Sequence, residues 1–253
     1  MTYFVSEGSI VRKIWGKADT ILFIFAGASA EFALNKAVDW LYFTGRLPAD
    51  PLGRLFSTVA YSQQIVFSEY HAALNAIDKI TAIHQTVEKN RGAQIPDWAY
   101  RDVLFMLIDY SIRSFEVLER KLTEREKEEV FTVFNQVGLR MGIKGLPENY
   151  KDWLIMREQH LLENMVSSDF TVDLYKQYRT HLGFLRYIVL KQTQVLVVPE
   201  RVNKLLALGA TPFFSLVLQV YKLSRWLSFE RLIKNVILPE NYKAQIRDLD
   251  MVI

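Results

Sequence analysis

Apolar residues recur at spacings of three and four along almost the whole chain, and a period of that kind confines it to helices. Prolines punctuate the pattern. Pro51, Pro96, Pro147, Pro199, Pro212 and Pro239 each stand just ahead of a periodic segment, where a missing N–H is no loss. Thr123 and Glu126 have the spacing of a capping box, which starts another helix there. These marks place helices at 17–45, 51–67, 69–90, 97–120, 124–141, 148–166, 171–195, 200–208 and 212–226. On 97–120 the stripe is Val103, Leu107, Tyr110, Ser114 and Val117, with Arg101, Arg113 and Glu116 set off from it. The strand-like stretch Val195–Val198 is too short and isolated to make a sheet. The expected fold is all-α, a single multi-helix globular domain over residues 1–253 with 228–253 as a C-terminal extension.

With 253 residues, half of them hydrophobic and 23% charged, the chain can bury one large core or two lobes. Its 31 basic and 28 acidic side chains are interspersed, so no basic stripe is offered to a nucleic acid. The absence of cysteine excludes disulfides and thiolate metal sites, and any iron must be held by nitrogen or oxygen. Met1–Gly8 is polar and mixed, which is not a secretory signal, and a cytoplasmic location is expected. The most apolar run, Ile21–Leu34, contains Glu31 and falls short of the roughly 20 residues of a bilayer span. It reads as a buried helix, so no transmembrane segment is expected. Sixteen Phe, 12 Tyr and five Trp make the core bulky, or let it line a buried pocket for something apolar. The hexapeptide LPENYK occurs at 146–151 and 238–243 with unmatched flanks, so it marks two helix starts rather than a duplication.

Nucleotide-binding glycine loops, GxSxG and HExxH are all absent. The two paired Glu-x-x-His motifs of a di-iron bundle are absent too. Of the four histidines, His71 reads as a surface or capping residue, and His160 and His181 as members of solvated faces. His84 differs, because Ala73, Ile77, Ile80, His84 and Val87 share one helix face. An imidazole in an apolar stripe either bonds to a core partner or offers a nitrogen to a metal. On the preceding segment Arg54, Thr58 and Tyr61 stand at i, i+4 and i+7, which puts a cation and two hydroxyls on one face. Such a face suits an anionic group or bound oxygen; the plainer alternative pairs Arg54 with Asp50.

The run DPLGRLFST at 50–58, with IHQTV at 83–87, resembles the signature of the helical haem-b oxygenases, the group of the latex-clearing rubber oxygenases and the fungal MpaB oxygenase. IPDWAYRDVLFMLIDYSIRSFE, LTEREKEEVF and VGLRMGIKGLP follow in order and resemble the MpaB branch more closely. The resemblance spans about residues 9 to 210. It implies haem b as cofactor, His84 as proximal iron ligand, and Arg54 and Thr58 as the catalytic polar pair beside the haem, with Tyr61 on the same face. It also implies a buried haem-sized pocket, with dioxygen and a small apolar, isoprenoid-like molecule as substrates. Two departures stand out. Rubber-cleaving members carry a lysine just before that threonine, where Ser57 stands here. They also carry an acidic base upstream, where ungapped counting reaches Val38, with Glu31 and Asp39 nearby.

Three functions therefore compete. One is a haem-dependent oxygenase; another is a helical carrier of haem or lipid without turnover. The third is a ligand-free interaction protein in which His84 is a core residue.

Overall fold

Ten helices account for about three quarters of the described chain. The structure is a computed structural model that describes residues 2–45 and 49–210, without the side chains of Pro51, Leu52 and Arg54–Phe56. The expected helix at 212–226, the 228–253 extension, Pro212, Pro239 and the second LPENYK lie outside the described residues. In order the helices are α1 (Ile10–Trp15), α2 (Ala18–Leu34), α3 (Val38–Phe43), α4 (Pro51–Phe67) and α5 (Tyr70–Arg91), then α6 (Asp97–Leu118), α7 (Glu124–Arg140), α8 (Tyr150–Glu163), α9 (Asp169–Val197) and α10 (Glu200–Leu206). Among the described residues there are isolated bridges, Tyr3 to Glu69 and Asn35 to Met165, but no strands. The domain is all-α.

The termini follow from local chemistry. Asp50 Oδ1 accepts the Gly53 N–H at 2.8 Å, and Pro51 fills the first turn of α4. The Thr123–Glu126 capping box starts α7 with both reciprocal hydrogen bonds in place. Gly92, at φ 69°, ends α5 in the left-handed region.

Two expectations need correction. Residues 17–45 form two helices, because Asn35 leaves the helix at ψ 132°. Its amide donates to Asp102 Oδ2 at 2.8 Å while its carbonyl accepts the Ala37 N–H, so the break is a polar junction. The strand-like Val195–Val198 makes no sheet, as expected, and α9 runs through Val197, two residues beyond the expected end. Finally, α1 was absent from the expected elements, its six residues being too short to show a period. Ser9 caps it, and Trp15 Nε1 donates to Ser111 of α6 at 3.0 Å.

Helix α2 is the hub. Twelve of its residues are buried, and it packs against α6 and α9. Helix α6 is almost as enclosed, with Leu104, Phe105, Ile108, Tyr110, Ile112 and Phe115 all buried. The stripe expected on it was therefore too narrow, and its member Val103 faces solvent. A helix surrounded by neighbours has no single apolar face for periodicity to find. On the flank, α4 and α5 form a hairpin through Ser68 and Glu69, with Ile65 packed on Ala73, Ala76 and Ile77.

Candidate functional site

His84 stands at the far end of that hairpin. The stripe Ala73, Ile77 and Ile80 packs on Ile65 of α4, Val137 of α7 and Met141 just past the end of α7, and His84 continues it at the expected register. Burial fades along it: Ala73 and Ile77 are enclosed, whereas Ile80, His84 and Val87 are half-buried. The imidazole meets the ring of Tyr100 edge-on, centroids 5.2 Å apart and planes at 81°. One turn along α5, Glu88 Oε1 accepts the Ile95 N–H at 2.9 Å and the Tyr100 hydroxyl at 3.2 Å. Burial, reinforced by Glu88, pushes the Tyr100 phenol well above its usual range, so it stays a donor.

A cavity of about 140 Å³ lies beside these groups, lined by Thr81, His84, Glu88, Asp97, Tyr100 and Ile143 among others. It is smaller than the roughly 300 Å³ at which ligand clefts begin, and it admits only a few water-sized molecules.

The other expected residues lie on α4. Thr58 and Tyr61 are half-buried, and with Ile65 they form an i, i+3, i+7 stripe that runs toward the hairpin turn. Arg54 precedes the end of α4 by 13 residues, and His84 follows the start of α5 by 14. Equal rise along two helices joined at one turn puts Arg54 and His84 at the same end of the hairpin. The Arg54 side chain is outside the described residues, and so is the alternative pairing of Arg54 with Asp50.

Does this donor set suit iron? Among the described residues no group of three or more His, Asp or Glu side chains could hold a bare ion. A porphyrin brings four nitrogen ligands of its own, so one imidazole is enough. His84 could supply that imidazole, and the chain has no cysteine to compete with it.

A second polar constellation escaped the sequence reading. In the middle of the domain Arg157 of α8 donates from Nη1 to Glu31 Oε1 at 2.5 Å and from Nη2 to Glu31 Oε2 at 2.6 Å. The Tyr110 hydroxyl donates to the same Oε2 at 2.8 Å. Arg157 also bonds Asp109 Oδ2 from Nε and Nη2, and Arg113 Nε takes Oδ1 at 2.7 Å. Burial alone raises the Asp109 carboxyl, but Arg157 and Arg113 outweigh it and hold the group below the ordinary carboxylate range. Two carboxylates facing two guanidinium groups leave the network neutral.

One turn further along α8, His160 Nδ1 is bonded to Asp102 Oδ1, and Asn35 and Asn164 donate to the same carboxylate. His160 is therefore buried, not on a solvated face as expected. The reason is that α8 buries two polar side chains beside its aromatic ones and leaves part of its apolar surface outside. Tyr150, Trp153, Arg157 and His160 point inward at three- and four-residue steps, while Leu154, Ile155 and Leu162 face out. The spacing of Arg157 and His160 from Trp153 was the available signal. His71 and His181 are exposed, as expected.

Similarity to known proteins bears on this arrangement directly. The family described as ER-bound oxygenase mpaB/B'/Rubber oxygenase, catalytic domain, matches the chain over residues 13–228. That stretch takes in both α4 and α5. No curated protein matches the chain.

Proposed function

The chain belongs to the mpaB/rubber oxygenase catalytic-domain family, and from that premise we propose that it is a haem-b-dependent oxygenase acting on an apolar, isoprenoid-like substrate. The observation that carries the reading is the place of His84. It is a half-buried imidazole on the α5 stripe, at the end of the hairpin where α4 carries Thr58 and Arg54. His84 would hold the haem, whose iron supplies dioxygen activation when bound. Tyr100 limits the tilt of the imidazole through its edge contact, and Glu88 fixes Tyr100 in turn. Thr58 and Tyr61 contribute hydroxyls able to donate to an oxygen atom, and Arg54 a cation suited to a carboxylate.

One observation favours a second reading, a helical haem carrier without turnover. The upstream positions are apolar or carry ion-paired carboxylates: Val38 is apolar, Glu31 has both oxygens on Arg157, and Asp39 holds Arg91 through Oδ2 at 2.6 Å. An absorption spectrum tests both. Protein loaded with haemin should show a Soret band, and His84→Ala should lose it; a blank wild-type spectrum overturns both readings. Bound haem that, once reduced, leaves oxygen and candidate alkenes unchanged overturns the oxygenase alone.

A further inference from the structure

From Leu174 to Val197, helix α9 contains four cations, Lys176, Arg179, Arg186 and Lys191, and no acidic residue. Gly183 breaks the helix midway, at φ 73° and ψ 171°. Just past the break Phe184, Leu185 and Ile188 are 63%, 76% and 40% exposed. Their i, i+1, i+4 spacing puts all three on one outer face. Leu182, Tyr187 and Leu190 of the same stretch pack inward, in a cluster with Val38, Leu174 and Tyr178. This half of α9 is thus apolar on both sides, which calls for a low-dielectric cover outside as well as inside. Lone exposed apolar side chains are ordinary; a cluster of three at a helix break is a patch.

The charges around the patch indicate the cover. Arg179 and the exposed His181 precede it, and Lys191 follows Ile188 by three residues. Two acids lie in the first turns of the helix, away from the patch: Asp169 opens it, and Asp173 is engaged by the Tyr42 hydroxyl at 2.9 Å. A second copy docked on this face by a two-fold axis would set the same cations against one another.

We propose that the kinked face of α9 docks on anionic lipid, Phe184, Leu185 and Ile188 entering the bilayer interface and Lys176, Arg179 and Lys191 meeting the headgroups. Apolar insertion beside a band of cations is what interfacial binding requires. The proposal is independent of the chemistry at His84.

The test is co-sedimentation of the full chain with phosphatidylcholine vesicles, with and without phosphatidylserine. Wild-type protein should partition onto the phosphatidylserine vesicles and be released by salt. Phe184→Asp/Leu185→Asp should weaken that partition roughly tenfold or more. Lys176→Glu/Arg179→Glu should weaken it too and flatten the salt dependence. Wild-type protein that ignores phosphatidylserine vesicles overturns the proposal, as does binding that neither double variant alters. A wild-type dimer that the aspartate variant disperses gives the face to a second copy. An aspartate variant that melts well below wild type without lipid gives it to residues of the same chain. Either result also overturns lipid docking.

Discussion

The ring of Tyr110 rests on the bare α-carbon of Gly27, where an added methyl would lie 2.3 Å from Cδ1. This contact sets how closely α6 approaches the hub helix α2. It also aims the Tyr110 hydroxyl at Glu31, one turn further along α2. A glycine within a helix gives up roughly 1 kcal/mol of propensity relative to alanine, so close packing is what it provides here.

Gly27→Ala should therefore destabilise the fold although alanine is the better helix former. Overpacking costs about 1–3 kcal/mol, whereas Tyr110→Phe, which keeps the ring and loses one hydrogen bond, should cost about 1 kcal/mol. Urea unfolding curves of the two variants would rank them. The reverse order would mean that the hydrogen bond matters more than the fit.

The Arg157–Glu31 pair should behave as a unit. Removing one member leaves a charge stranded in the core, at about 3–5 kcal/mol, while removing both with volume kept can be nearly neutral. Arg157→Met and Glu31→Gln should each lower the melting temperature sharply, and the double variant should recover much of the loss. Strictly additive losses in that cycle would show the bidentate pair to be unimportant.

Acid should attack the same network. Asp109 sits below its ordinary pKa because Arg157 and Arg113 outweigh its burial. A folded pKa below the unfolded value means stability that is complete above the unfolded value, about 4, and lost as pH falls through the folded one. Melting temperature should thus decline below about pH 4, and Asp109→Asn should show a shallower decline from a lower plateau. An unaltered acid limb in that variant would assign the decline to other carboxylates.

Legibility in the sequence followed the physics of each element. Capped, amphipathic α7 and the proline-started α4 and α10 announced themselves, because their signals are local. The Asn35 break, the Gly183 kink and the inward face of α8 did not, because each depends on partners far along the chain. Asn35 leaves its helix to reach Asp102, and Arg157 is buried only because Glu31 and Asp109 wait for it. Helix α8 divides its apolar residues between its faces, Trp153 and Leu161 inside and Leu154, Ile155 and Leu162 outside, so hydropathy alone does not orient it. At the candidate site the stripe bearing His84 was readable, since Ala73, Ile77 and Ile80 keep their period. Tyr100 was not, because it arrives from another helix.

The two histidines should separate cleanly. His160 sits in the core, bonded to a carboxylate that Asn35 and Asn164 also hold, and it packs on the Phe105 ring at 5.2 Å. His160→Ala deletes a buried partner of Asp102 and opens a cavity, so it should destabilise the fold by about 2–4 kcal/mol. Whatever protein remains folded should still take up haem. His84 is half-buried at the margin of the hairpin, so His84→Ala should cost little stability and abolish the Soret band instead. Melting curves and haemin titrations on both variants give four readings, and the expected pattern is a crossed one. If His160→Ala loses the Soret band at temperatures where its melting curve shows it folded, while His84→Ala keeps it, the ligand lies on α8 and the assignment to α5 is wrong.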